Sequence, residues 1–133
     1  MTIYALSSGS GISGIAVIRV SGKSTAEVVK KITRTKLPAP RVATLTKFNK
    51  NGTKELIDEG VIIWFPAPNS YTGEDLAEFH VHGSRAVINA MHTSISKIKN
   101  CRLAEPGEFT KRAFQNGKIN LLKAESIADL ISS

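Results

Sequence analysis

The chain has 133 residues, 41% of them apolar and 22% charged, which is the size and balance of one globular domain with a real core. No apolar run reaches the roughly 18 residues of a membrane span, and Met1–Leu6 shows no basic segment ahead of an apolar one, so neither a span nor a secretory leader is expected. The single cysteine, Cys101, excludes an internal disulfide and a cysteine-rich zinc site, and points to a reducing, cytoplasmic compartment.

The net charge of +7 falls in blocks. Residues 19–54 hold ten Lys and Arg against Glu27 alone. Residues 55–83 hold six acids and no Lys or Arg, and residues 84–133 hold eight basic residues against four acids. A block as basic as 19–54 fits either an anionic partner such as RNA or a solvated face.

In chain order, Tyr4–Leu6 is a short apolar stretch ahead of a Gly/Ser loop, Ser7 to Gly14. Ile15–Val20 is β-branched and reads as a strand stopped by Ser21-Gly22. Ser24 or Thr25 can cap a helix running to about Thr33, with Ala26, Val29 and Ile32 on one face. Leu37-Pro38-Ala39-Pro40 is a rigid connection. Val42–Phe48 alternates, Asn51-Gly52 is a strong hairpin signal, and Gly60–Phe65 is the returning strand, apolar enough to be covered on both faces. A constrained loop, 66–73, precedes a strand over Leu76–His82. Ser84–Lys99 reads as an amphipathic helix, with Val87, Met91, Ile95 and Ile98 on its apolar face and His92 at the surface. Glu105-Pro106-Gly107 opens a shorter helix through Phe114, and Asn116-Gly117 closes it. Residues 120–133 carry a helical apolar stripe. Interleaved strands and helices with an antiparallel pair predict an α+β (α/β-type) domain built on a mixed sheet.

Two nucleotide motifs fail on context. Gly9-Ser10-Gly11-Ile12-Ser13-Gly14 matches G-x-G-x-x-G, but a strand follows it instead of a helix, and the nearest acid, Glu27, comes too soon. Gly22-Lys23-Ser24 resembles the end of a phosphate loop, but the required leading glycine is Val17, inside a strand.

The polar residues inside apolar strands are more informative. Glu78, His80 and His82 alternate with Ala77, Phe79 and Val81, so the three polar groups share one face with Leu76. They could form part of a metal site, line a ligand pocket or face water; the pocket or surface is favoured, because no further Cys/His cluster accompanies them. A carboxylate held on a strand can accept two N–H bonds from the amidine-like edge of a pterin or guanine, which makes Glu78 a candidate. Arg19 interrupts an apolar strand and needs an anionic or carbonyl partner, unless it lies on an edge facing water. Lys118 follows Asn116-Gly117, where a turn presents a side chain outward.

Seven segments together carry a family resemblance: 4–9, 15–22, 64–75 (WFPAPNSYTGED), 78–83 (EFHVHG), 104–114 (AEPGEFTKRAF), 116–118 and 124–131. The chain resembles, over nearly its whole length, the N-terminal domain of the MnmE (TrmE) family of tRNA-modification GTPases. The resemblance implies an α/β domain similar to the folate-binding domain of glycine-cleavage aminomethyltransferases, which binds 5-formyltetrahydrofolate and forms a homodimer. It implies residues 1–118 as that domain and 119–133 as the start of a helical domain. The family's GTPase domain, with its GTP, Mg2+ and K+ sites, is not in this sequence, so the chain is expected to be a fragment without GTP hydrolysis. The implied partners are the flavoprotein MnmG and, through the complex, tRNA modified at C5 of wobble uridines; no membrane is involved. The family's folate-contact positions match Arg19, Glu78 and Lys118, with Glu78 on the pterin edge and the two cations on carbonyls, the formyl oxygen or the anionic tail. Two other readings stay open. One is an RNA-binding module using the 19–54 block, and the other is a self-contained one-carbon transferase using His80 and His82.

Overall fold

The computed structural model describes residues 1–7 and 14–120. The Gly-rich motif at 9–14 and the helical stripe at 120–133 lie almost wholly outside the described residues. Among the described residues six strands form one mixed sheet: β1 (Thr2–Leu6), β2 (Ile15–Ser21), β3 (Thr44–Asn49), β4 (Leu56–Phe65), β5 (Leu76–His82) and β6 (Cys101–Leu103). Three helices among the described residues accompany it: α1 (Thr25–Thr33), α2 (Arg85–Ser96) and α3 (Glu108–Gln115). The strand order is β3-β4-β5-β2-β1-β6, antiparallel throughout except for the parallel β1–β6 pair. This is the predicted α+β arrangement on a mixed sheet.

The alternation along the strands builds the core. Ile18 and Val20 of β2, Ala77, Phe79 and Val81 of β5, and Ile62 and Trp64 of β4 join Val28, Val29 and Ile32 of α1 and Met91 and Ile95 of α2 in one buried cluster. Phe48 and Phe79 meet edge to face at 5.3 Å. Side chains on the intervening positions, Arg19 on β2 and Glu78 and His80 on β5, therefore lie on the opposite face of the sheet.

Several expectations change. The first strand starts at Thr2, and the three-residue β6 has no counterpart in the sequence reading. The β3–β4 hairpin exists, but its connection spans residues 50–55, so Asn51-Gly52 sits in a wider turn, with Gly52 at φ +76°. β4 buries one face; Val61 and Ile63 on the other are only half-buried. Val28 rather than Ala26 joins the buried face of α1. Ser24 makes no side-chain cap to α1, whereas the Ser84 hydroxyl accepts from the Val87 N–H and caps α2.

His92 is half-buried rather than at the surface. It lies beside the apolar stripe of α2, its ring 5.4 Å from Tyr4 of β1, with Nε2 buried and without a partner. Burial lowers its pKa from the ordinary imidazole value.

Candidate functional site

Arg19 and Glu78 are direct cross-strand partners in the antiparallel β2–β5 register. β2 lies between β5 and β1, so Arg19 is central and not on a water-facing edge. Its Nη2 sits 3.6 Å from Glu78 Oε2, close enough for an ion pair but too long for a hydrogen bond. The guanidinium is also flanked by two rings, Tyr71 at 5.2 Å and Phe109 at 5.7 Å. Its Nε is buried and has no hydrogen-bond partner. A charged residue on a central strand, with donor capacity left over, is suited to a ligand's carbonyl or anionic group.

His80 supports Glu78 from the same strand, with Nε2 3.0 Å from Oε1. His82 does not join them. It is exposed at the strand end and bound to Asp58, with Nδ1 2.9 Å from Oδ1 and its backbone N–H donating to Oδ2. Burial pushes the Asp58 carboxyl up, but the His82 backbone N–H and ring outweigh it and leave it below the usual range. The two histidines thus serve different carboxylates. Among the described residues no group of three or more His, Cys, Asp or Glu is placed to hold a metal ion.

A cavity of about 350 Å3 opens beside Arg19. Ala5 and Ser7 of the β1 end, and Ala104, Pro106, Gly107 and Phe109 around the start of α3, form its walls. This is within the ordinary size range of small-molecule sites, at roughly 300–1,000 Å3.

The loop that carries Tyr71 is held by non-local bonds that the sequence does not disclose. The 66–75 loop is stitched to β2 and α3. Ser21 Oγ lies 2.7 Å from Thr72 Oγ1 and donates to Glu74 Oε1 at 2.8 Å. Asn116 Nδ2 donates to the Thr72 carbonyl at 2.8 Å, and Tyr71 Oη is 3.1 Å from Thr110 Oγ1. Arg112 ties these parts together: Nη1 donates to Glu74 Oε1 at 3.1 Å, and Nη2 to the Met1 carbonyl at 2.7 Å and to Glu108 Oε2 at 3.3 Å. Glu108 is also gripped by Arg102 through both terminal guanidinium nitrogens, Nη1 and Nη2. Chiefly for that reason its carboxyl is held down to about 2. This network fixes the two rings that flank Arg19.

Lys118 is placed by the end of α3. Gly117, at φ +71°, takes the left-handed position that glycine tolerates. The Gly117 N–H then bonds the Phe114 carbonyl and the Lys118 N–H bonds the Ala113 carbonyl, the two bonds of a Schellman motif. The lysine side chain emerges beside the 66–75 loop, where a Cβ added at Gly73 would lie 3.4 Å from Lys118 Cε. The structure therefore pairs Arg19 with Glu78 directly. Lys118 stands apart, next to the loop that carries Tyr71.

The family described as GTP-binding protein TrmE N-terminus matches residues 2–118. The whole chain is 75% identical to part of the tRNA modification GTPase MnmE of Pelagibacter ubique, covering 30% of that protein. It is 51% identical over 130 residues (98% of the chain, 26% of the relative) to the mitochondrial 5-taurinomethyluridine-[tRNA] synthase subunit GTPB3 of Danio rerio. It is 48% identical over 132 residues (99% of the chain, 30% of the relative) to the MnmE of Parvibaculum lavamentivorans. The chain spans less than a third of the length of these relatives. On these matches, the chain belongs to the TrmE (MnmE) family of tRNA modification GTPases and corresponds to its N-terminal domain.

Proposed function

We propose that this domain binds 5-formyltetrahydrofolate, pairs with a second copy of itself, and serves a GTP-driven tRNA modification in which the folate carries the one-carbon unit. The observation that carries the folate reading is the buried, unpartnered Nε of Arg19, beside a cavity and directly across from Glu78. The donor set suits the cofactor. Glu78 offers a carboxylate for the N–H edge of the pterin, Tyr71 and Phe109 offer flat apolar surface, and Arg19 offers donors for a carbonyl or carboxylate. His80 holds one Glu78 oxygen and leaves the other for the ligand and Arg19. Lys118 is assigned to the anionic tail.

In this reading the folate supplies the one-carbon unit, while the chain binds, orients and partly desolvates it. Neither His80 nor His82 has the partners of a self-contained transferase, so the reacting nucleophile comes from the tRNA or from the flavoprotein MnmG. The similarity to the aminomethyltransferase folate domain, a boundary near residue 118 and a cytoplasmic setting belong to the same proposal. Among the described residues no helix is long and apolar enough to cross a membrane.

The test is calorimetric titration with 5-formyltetrahydrofolate of the wild type and of Glu78→Ala. Loss of the charge-assisted bonds is expected to weaken binding by about 1.5–3 kcal/mol. Unchanged affinity in a folded variant would remove Glu78 from the site. Sedimentation velocity at high micromolar concentration is expected to show a dimer, and a monomer there would refute the pairing for this chain.

A further inference from the structure

The basic block at residues 19–54 does not fold into one patch. Arg19 goes to the cavity face. Lys30, Lys31 and Arg34 at the end of α1 border one open depression with Asn51 and Gly52 of the β3–β4 connection. A second depression shares Asn51 and is bordered by Lys50, Thr53, Asn89 and Thr93 of α2, and Lys97 at its C-cap. The fold thus recruits Lys97, from outside the block, to a continuous basic surface drawn from three elements.

Two of the five cations are answered. Lys31 pairs with Glu27 at 3.2 Å, and Lys50 with Glu55 at 2.9 Å. Arg34 donates to the Thr53 carbonyl at 3.2 Å, which joins α1 to the β3–β4 connection but leaves its charge unbalanced. Among the described residues no carboxylate lies within ion-pair distance of Lys30, Arg34 or Lys97. Complementing the C-terminal dipoles accounts for Lys30, Lys31 and Arg34 at the end of α1 and for Lys97 at the end of α2 taken singly, but not for Lys50 or for the gathering of both helix ends around the β3–β4 connection.

We infer that this surface binds the phosphate backbone of folded RNA. Among the described residues none of the large exposed apolar side chains borders either depression, so these residues offer neither the apolar face for insertion into lipid nor the aromatic rings for stacking bases. What it offers is unpaired charge interleaved with Asn and Thr, the groups that contact phosphate and ribose hydroxyls. It lies on the side of the sheet covered by α1 and α2, opposite Arg19 and Glu78. It therefore anchors the body of the RNA and does not present the reacting base. The choice of RNA rests on the proposed function; the charge geometry does not.

The experiment measures binding of a labelled, folded tRNA transcript to the 133-residue chain across a salt series. The variants are Lys30→Gln/Arg34→Gln/Lys97→Gln and a control, Lys111→Gln on α3. Each phosphate neutralised contributes about 0.7–0.9 to the slope of log K against log salt, so the triple variant is expected to lose about 2–3 from that slope and at least tenfold in affinity. The control is expected to match wild type. Wild-type slope and affinity in the triple variant would overturn the inference, as would absent tRNA binding by the wild type or binding to phosphatidylserine vesicles in its place. Melting temperature and folate titration of the same variant separate the outcomes: this surface can fail while the folate site stands, and the reverse.

Discussion

Replacing Glu108 by Gln keeps the shape of the side chain and removes the charge that Arg102 and Arg112 share. The folded carboxyl sits at about 2 rather than 4.5, first because of the Arg102 hydrogen bonds. Taken whole, that difference is a ceiling of about 3.4 kcal/mol of stability at neutral pH. The Arg102 side chain is 38% exposed, so solvent screens the pair and the expected loss is about 1–2 kcal/mol. The sign follows from linkage. Because the folded value is depressed, the stabilisation is complete above the unfolded value near 4.5 and is lost as pH falls through about 2. Urea melts of wild type and Glu108→Gln, followed by circular dichroism, should therefore differ by about 1–2 kcal/mol near pH 7 and converge as the pH approaches about 2. The other carboxylates titrate in both proteins and cancel in the difference. A gap that is absent near neutrality, or independent of pH, would refute the claim that this carboxylate clamps α3.

Three further outcomes are expected. Gly60→Ala would place its Cβ 2.0 Å from the His80 carbonyl oxygen, a backbone atom that cannot step aside, so a loss of about 3 kcal/mol or more is expected in a denaturant melt. His92 is half-buried and its folded pKa is lowered; the unfolded chain binds the proton more readily, so stability should decline as pH falls below about 6.5, and a fold-preserving His92→Leu variant should flatten that part of the profile. His80→Gln keeps a donor to Glu78 and is expected to hold folate affinity near wild type, whereas His80→Ala frees the carboxylate and should weaken it by about 1 kcal/mol; equal affinities would remove His80 as a positioning residue.

The parts of this fold set by local pattern are legible in the sequence. Alternation of Glu78 and His80 with Phe79 and Val81 gives β5 and its two faces, and the period of Met91 and Ile95 gives α2. Arg19 and Glu78 also stand out, because a charge inside an apolar strand requires a reason. Their pairing across β2 and β5 does not, since register is a non-local property. The Arg112–Glu74 bond is hidden for the same reason, joining residues 38 apart in the chain. β6 is too short to show a period, and it exists because β1 offers it an edge. His92 misleads because a polar residue flanking a stripe reads as exposed, until Tyr4 of β1 covers it. Lys118 is a middle case: Asn116-Gly117 announces the helix end, but only the Schellman bonds fix where the lysine emerges.

The central claim is that the open face around Arg19 and Glu78 is a folate site. Calorimetric titration of the folded wild-type chain with 5-formyltetrahydrofolate tests it most directly. The account predicts saturable binding with one site per chain, and no heat of binding from protein shown to be folded would contradict it.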